Sequence, residues 1–270
     1  MAPLKTKYAT KNMNGPRNLR GPFLCSAFVM LSVIIPTLNE SAQLPDTLDR
    51  VHAILRHGDE IIVADGGSTD GTCAIAYGCG AHVVSSPRGR GTQLNVGADA
   101  ATGDTLLFLH ADTHLPADAA DLIRRALSDP AVIGGNFTLR FDAPGPLARL
   151  FATVYNARSR RSRLFYGDSA IFVRRSVFEA LGRYQEATLM EDYAFCLALR
   201  AAAKRRSPGL ALGQTLPLLP SPVITSARRF HGRHGLAWRM VGIWTLLHLL
   251  YTLGAKTETL ERWFYPPAKK

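Results

Sequence analysis

Between residues 31 and 127 the chain alternates short apolar runs with longer segments of helical spacing. The runs at 32–36 (SVIIP), 60–64 (EIIVA), 81–84 (AHVV) and 106–109 (LLFL) have the length and the β-branched or leucine content of buried strands. After the first run Leu44, Leu48, Val51 and Leu55 recur at helical spacing. A small-residue helix is expected after the second, and a helix through about Ala101 after the Arg88-to-Asn95 stretch that follows the third. Repeated strand–helix alternation predicts an α/β fold, a mostly parallel central sheet with helices on both faces. Beyond a helix at about 117–127 the pattern changes. In residues 132–141, Ile133, Phe137, Leu139 and Phe141 share one strand face, and residues 164–173 form a second apolar segment interrupted by Tyr166-Gly167-Asp168. These predict mixed or antiparallel additions, followed by a helix from Glu191-Asp192 to about Arg200. Residues 240–255 are apolar except for Thr245, His248 and Thr252. As a helix they would rise about 24 Å, short of a hydrocarbon core of roughly 30 Å. They read as a packed or interfacial helix, with Trp238, Arg239, Trp244, Tyr251 and Lys256 as surface anchors.

Polar residues gather where the predicted strands end, which is where open α/β sheets bind ligands. The run at 106–109 stops abruptly at His110-Ala111-Asp112. On extended backbone those two side chains point the same way and suit one hard cation holding a diphosphate. The plainer alternative is that Asp112 caps the helix beginning near Pro116, with His110 a hydrogen-bonded neighbour. Thr37-Leu38-Asn39-Glu40-Ser41 follows the first run, and Asn39 or Ser41 could simply cap the next helix. Residues 65–72 (DGGSTDGT) follow the second run, and 88–95 (RGRGTQLN) the third. Glu191 and Asp192 either cap their helix at its positive dipole end or do chemistry.

Composition narrows the function classes. At 270 residues with 47% hydrophobic content the chain can bury one large core, and its 23 glycines imply many tight turns. The net charge of +11 is concentrated at the two ends: no acidic residue precedes Glu40. This favours an anionic partner, whether a phosphorylated substrate, an acidic membrane surface or nucleic acid. Four cysteines without CxxC or zinc spacing imply a reducing compartment. The basic residues 1–21 followed by apolar residues 22–36 resemble a signal peptide, but the first strand lies within that apolar stretch. Residues 1–30 are therefore expected to be a disordered basic extension, with an organellar targeting peptide as the alternative. No G-x-G-x-x-G follows an early strand, no P-loop appears, and no G-x-S-x-G elbow is present, so dehydrogenase, P-loop and serine-hydrolase chemistry lack support.

What remains is carboxylates and amides at strand ends, a His-x-Asp pair, arginines suited to phosphate, and a second acidic pair. SVIIPTLNE at 32–40, DGGSTDGT at 65–72, His110-Ala111-Asp112 as a variant D-x-D, and Glu191-Asp192 resemble, in order and spacing, the family 2 inverting glycosyltransferases of GT-A fold. The strings RGRGTQLN, FLHADTHLP, YGDSAIFVRR, LMEDYAF and TSARRF look like a bacterial subgroup associated with arsenosugar biosynthesis or radical-SAM proteins. The resemblance implies metal-dependent transfer from a nucleotide-diphosphate sugar, with UDP the expected nucleotide, to an acceptor that is a small molecule, lipid or glycan. By it, Pro36, Thr37, Glu40 and Asp65 would hold base and ribose, and Arg90 and Asn95 would border the donor. Asp112, supported by His110, would carry Mn²⁺ or Mg²⁺; an imidazole in place of the usual aspartate shifts preference toward Mn²⁺. Asp192 would be the general base and Glu191 its partner in orienting the acceptor. Ser226 and Phe230 replace residues of the Q-x-x-R-W element, which argues against processivity, while Arg228 and Arg229 would still approach the diphosphate.

The expected organisation is a basic extension at 1–30, the transferase domain at 31–230 and a C-terminal helical segment at 231–270. A cytoplasmic location is expected, with peripheral contact at the inner face of a membrane through that last segment. A nucleotidyltransferase is the enzymatic alternative, but residues 36–40 carry neither glycine nor lysine. A basic nucleic-acid or membrane-binding module would leave the acidic residues without a task, so no nucleic-acid partner is expected.

Overall fold

The computed structural model describes residues 29–143, 145–186, 189–204 and 215–227, together with 246, 247, 250, 251, 253, 255, 259 and 260. Its strands are β1 (Leu31–Thr37), β2 (Glu60–Asp65), β3 (His82–Ser85), β4 (Thr105–Phe108), β5 (Thr113–His114), β6 (Gly134–Phe141), β7 (Ile171–Arg174) and β8 (Leu218–Thr225). Its helices are α1 (Leu44–His52), α2 (Thr72–Gly78), α3 (Arg90–Ala100), α4 (Ala119–Leu127), α5 (Pro146–Ser162), α6 (Arg175–Ala180) and α7 (Glu191–Lys204), with a 3₁₀ turn at Gly167–Ser169. The sheet runs in the order β3-β2-β1-β4-β7-β6-β8-β5. The first four strands are parallel; β7 is antiparallel to β4 and to β6. The alternating strands and helices and the antiparallel additions were both legible in the pattern.

Both sheet faces are covered, which explains why β1, β2 and β4 read as continuous apolar runs. Val33, Ile35, Ile61, Val63 and Leu107 pack with α1, α2 and α4, whereas Ile34, Ile62, Leu106 and Phe108 pack with α3, α6 and α7. Helix α3 lies so close to β1 that a Cβ on Gly97 would stand 2.5 Å from Ile34 Cγ2. A small residue is required there.

Several expectations are corrected. Strand β4 ends at Phe108, and His110 to Thr113 forms a turn in which Thr113 N–H donates to the His110 carbonyl at 3.1 Å. His110 and Asp112 are therefore not on extended backbone. Asp112 caps no helix, since α4 begins only after Asp118; nor do Asn39 and Ser41, because Gln43 is the N-cap of α1. Ile133 packs in the α3/α6/α7 core, opposite Phe137 and Leu139, because the strand proper starts after it at Gly134. Helix α5 and strands β5 and β8 were not foreseen. Pro220 and Pro222 argue against a strand, yet β8 tolerates them beside a register shift in its pairing with β6 between Phe137 and Thr138.

Residues 1–28 and 228–245 lie outside the described residues, so the N-terminal extension up to residue 28, Arg228, Arg229, Phe230, Trp238, Arg239 and Trp244 are not placed. Leu247 is buried in a cluster with Leu189, Met190, Tyr193 and Leu260, against which Leu250, Tyr251 and Ala255 pack. These residues of the C-terminal segment are packed internally, whereas Leu246 and Leu253 are exposed. Among the described residues no helix is long and apolar enough to cross a membrane.

Candidate active site

The C-terminal ends of β1, β2 and β4 lie side by side, and three loops leave them. Register explains why a fourth element joins. Because β7 is antiparallel to β4, with Ile171 opposite Phe108, the start of β7 and the turn before it fall beside His110. A cleft of about 360 Å³ opens there, lined by Pro36, Glu40, Arg90, His110, Ala111, Asp112 and Ser226.

Each loop is fixed by polar contacts. Thr47 Oγ1 donates to the Ala111 carbonyl at 2.7 Å, and Ser226 N–H donates to the Asp112 carbonyl at 3.2 Å, so α1 and the end of β8 clamp the His110–Asp112 turn from two sides. Asn39, held at a positive φ of 56°, donates its N–H to Ser68 Oγ and accepts from Thr69 N–H, while Glu40 N–H donates to Thr72 Oγ1. The first two loops are thus one unit. Gln93, buried at the start of α3, locks them by donating its amide to the carbonyls of Thr37 (2.7 Å) and Ala64 (3.0 Å). Burial pushes the Asp65 carboxyl up, but Ser68 through hydroxyl and N–H, Gly67 N–H and the Thr37 hydroxyl outweigh it and hold Asp65 below the ordinary carboxylate range. Asp65 is a built, ionised acceptor site at the strand end.

Glu191 and Asp192 begin α7 and occupy different surroundings. Glu191 is 1% exposed and paired with Arg90 Nη1 at 3.2 Å. Burial, with the charge of Asp192 adding to it, pushes its carboxyl up to about 7, against the opposing pull of Arg90. Burial works against the Arg90 charge, but Glu191, Asp192 and Asp112 together hold it firmly protonated. Arg90 therefore ties the cleft to the acidic pair, and this link was not visible in sequence. Asp192 accepts from Gly167 N–H at 2.9 Å through Oδ2 and from Tyr193 N–H at 2.7 Å through Oδ1.

Gly167 joins the two halves. A Cβ there would stand 2.7 Å from His110 Nε2 and 3.5 Å from Asp192 Oδ2. The imidazole and the carboxylate face each other across a residue that has no side chain. Gly167→Ala is expected to displace the ring and to cut turnover about 10- to 100-fold, because misplacing a reacting group by about 1 Å costs that much. Steady-state kinetics, with a melting curve to verify folding, measure this; unchanged turnover would show that the gap has no role.

Behind Gly167 stands an aromatic wall. Tyr166 stacks on Tyr193 with centroids 5.7 Å apart, Arg158 lies over the Tyr166 ring, and Tyr193 meets Tyr251 edge-on at 5.8 Å. The Tyr155 hydroxyl lies 3.2 Å from Asp168 Oδ1 and 3.0 Å from Ser169 Oγ, and accepts from Tyr166 N–H. Asp168 thus supports the turn, and Tyr155 comes from the unforeseen α5. Thr37 and Asp65, expected beside the donor, do not line the cleft, and neither does Asn95. The Asn95 amide exchanges hydrogen bonds with the Tyr184 backbone at 2.9 and 3.1 Å and holds the segment before α7.

Among the described residues no group of three or more His, Cys, Asp or Glu surrounds one point as a metal cage would. His110 and Asp112 instead offer one imidazole and one carboxylate to the cleft. This donor set fits a divalent cation only if its remaining positions would be filled by a ligand's oxygens and water.

The family model for glycosyl transferase family 2 matches residues 32–182, from β1 through the turn after α6. The chain belongs to glycosyl transferase family 2. A PGL/p-HBAD biosynthesis glycosyltransferase of Mycobacterium bovis is 33% identical over 166 residues, which cover 57% of this chain; the chain spans 63% of that relative's length. Among solved structures, a mannosyltransferase from Pyrobaculum calidifontis in complex with GDP-Man and Mn²⁺ superposes with a TM-score of 0.59 at 21% identity, covering 88% of this chain and 68% of that one. Glucosyl-3-phosphoglycerate synthase from Mycobacterium tuberculosis, in complex with Mn²⁺, UDP-Glc and phosphoglyceric acid, gives 0.59 at 20% identity, covering 86% and 82%. The likeness to both establishes the GT-A architecture of this family 2 chain. The expected family and fold are both borne out.

Proposed function

We propose that this family 2 protein transfers a sugar from a nucleoside-diphosphate donor, with UDP as the nucleotide, to a hydroxyl acceptor, inverting the anomeric carbon. The observation that carries the reading is the juxtaposition at Gly167: the His110 imidazole, which lines the cleft, on one side and the oriented Asp192 carboxylate on the other. Pro36, Thr37, Glu40 and Asp65 hold base and ribose, and Arg90, with Arg228 and Arg229, meets the diphosphate. Asp112 and His110 would hold Mn²⁺ or Mg²⁺ beside the donor. Bound there, the cation would supply neutralisation of the charge that builds on the leaving diphosphate.

Asp192 takes the acceptor proton as the acceptor oxygen attacks. Its two N–H partners fix the carboxylate plane and leave further lone pairs for that proton. Glu191 is too deeply buried to meet the acceptor while paired with Arg90, so its role is to position Arg90. Attack opposite the leaving group needs no covalent intermediate. The subgroup related to arsenosugar-biosynthesis and radical-SAM-associated transferases is the proposed placement within the family, on the motif strings alone. The acceptor is a small molecule, lipid or glycan.

The first test is thermal denaturation with UDP or GDP. A nucleotide at a hundredfold its Kd adds about 2.7 kcal/mol, or roughly 5–10 °C for a chain of this size. That rise should require Mn²⁺ or Mg²⁺ and vanish with EDTA. A rise independent of metal, or none with any nucleotide, would count against the reading.

A further inference from the structure

The long helix α5 presents an outer side that sugar transfer does not use. Leu150 and Val154 lie one turn apart and are 54% and 57% exposed. At 100° per residue Ala157 and Arg161 continue the same strip and Arg149 and Arg160 border one edge, while Arg158 at the other edge is turned onto the Tyr166 ring. No acidic residue occurs between Asp142 and Asp168. Among the described residues no ion pair involves Arg149, Arg160 or Arg161.

The opposite side of α5 is fully occupied. Asn156 exchanges hydrogen bonds with the Leu139 backbone at 2.9 and 3.0 Å, Ser159 meets Asn136, and Ala152 is buried. The helix is thus anchored on β6 through its inner residues, and Leu150 and Val154 contribute little to holding it there. An apolar strip edged by arginines matches one environment closely. At the boundary of an anionic bilayer the apolar side chains enter the acyl region, while the arginine stems lie along it and their guanidinium groups reach lipid phosphates. Seventeen helical residues lying flat give a contact about 25 Å long.

We propose that the outer face of α5 docks this protein on an anionic membrane surface. Docking there sets the active-site cleft close to the bilayer, since Tyr155, on the same helix, reaches Asp168 beside Gly167. The inference stands whether or not the proposed transfer reaction is correct.

The experiment is sedimentation of the full-length protein with vesicles of phosphatidylglycerol and phosphatidylcholine, and with vesicles of phosphatidylcholine alone. Binding to the anionic vesicles only is expected. The triple variant Arg149→Gln/Arg160→Gln/Arg161→Gln should bind roughly fivefold more weakly for each arginine removed, and added salt should diminish that difference. Leu150→Ser/Val154→Ser should lose about tenfold, a loss that salt does not diminish. These residues are exposed, and an unchanged melting temperature verifies that both variants fold. Undiminished binding by both variants would overturn the proposal and assign attachment to the basic ends of the chain. So would a dimer in light scattering that Leu150→Ser/Val154→Ser converts to monomer, because a second copy would then own this face.

Discussion

Asp192→Asn keeps metal-dependent nucleotide binding and loses turnover by roughly 10²- to 10⁴-fold, the contribution of a positioned general base. The substitution keeps the shape of the side chain but not every contact. An asparagine side chain is isosteric, and its carbonyl oxygen can still accept one of the two hydrogen bonds, from Gly167 N–H or from Tyr193 N–H. The carboxylate's second acceptor and its basicity are what disappear. The charge change also relieves Glu191, whose carboxyl is raised partly by Asp192, so the Arg90 pair should persist or tighten. Steady-state kinetics together with nucleotide titration measure both halves. Equal losses of donor affinity and turnover would mean that Asp192 belongs to the donor site.

Asp112→Asn has the opposite signature. Removing an outer hydrogen-bond partner of a metal ligand costs about 10- to 100-fold in affinity, so removing the carboxylate ligand itself should cost at least about 100-fold. The turn should survive, because it is held through backbone: the Asp112 carbonyl accepts from Ser226 N–H and the Ala111 carbonyl from Thr47. Nucleotide binding should then become weak and insensitive to Mn²⁺. Melting temperature in the absence of ligand should change little.

The parts of this molecule written locally were readable from the sequence. Strands β1, β2 and β4 are buried on both faces and therefore stand out as unbroken apolar runs, and the polar residues that follow them mark the cleft. Contacts set by long-range pairing were not readable. Asp112 and Ser226 are joined because β8 returns beside β5, and a segment holding Pro220 and Pro222 does not announce itself as a strand. Arg90 and Glu191 are 101 positions apart and meet only when α3 and α7 share one face of the sheet. The significance of Gly167 depends on the antiparallel register of β7, which places a missing side chain between His110 and Asp192. Asn95 shows the reverse case. A polar residue in a site-like string proved to serve the backbone of Tyr184, a role no local pattern encodes. Helix α5 escaped because its four arginines and polar inner residues Asn156 and Ser159 blur the apolar stripe that normally marks a helix, although Gly145-Pro146 is a reasonable start signal.

The most direct test of the central claim is calorimetric titration of the protein with UDP and with GDP, each with and without Mn²⁺, on the parent chain, Asp112→Asn and Asp192→Asn. One nucleotide should bind in a Mn²⁺-dependent manner, Asp192→Asn should match the parent, and Asp112→Asn should lose the metal-dependent part. Nucleotide binding that ignores Mn²⁺ in the parent, or that survives unchanged in Asp112→Asn, would contradict the assignment of the His110–Asp112 turn to the donor diphosphate.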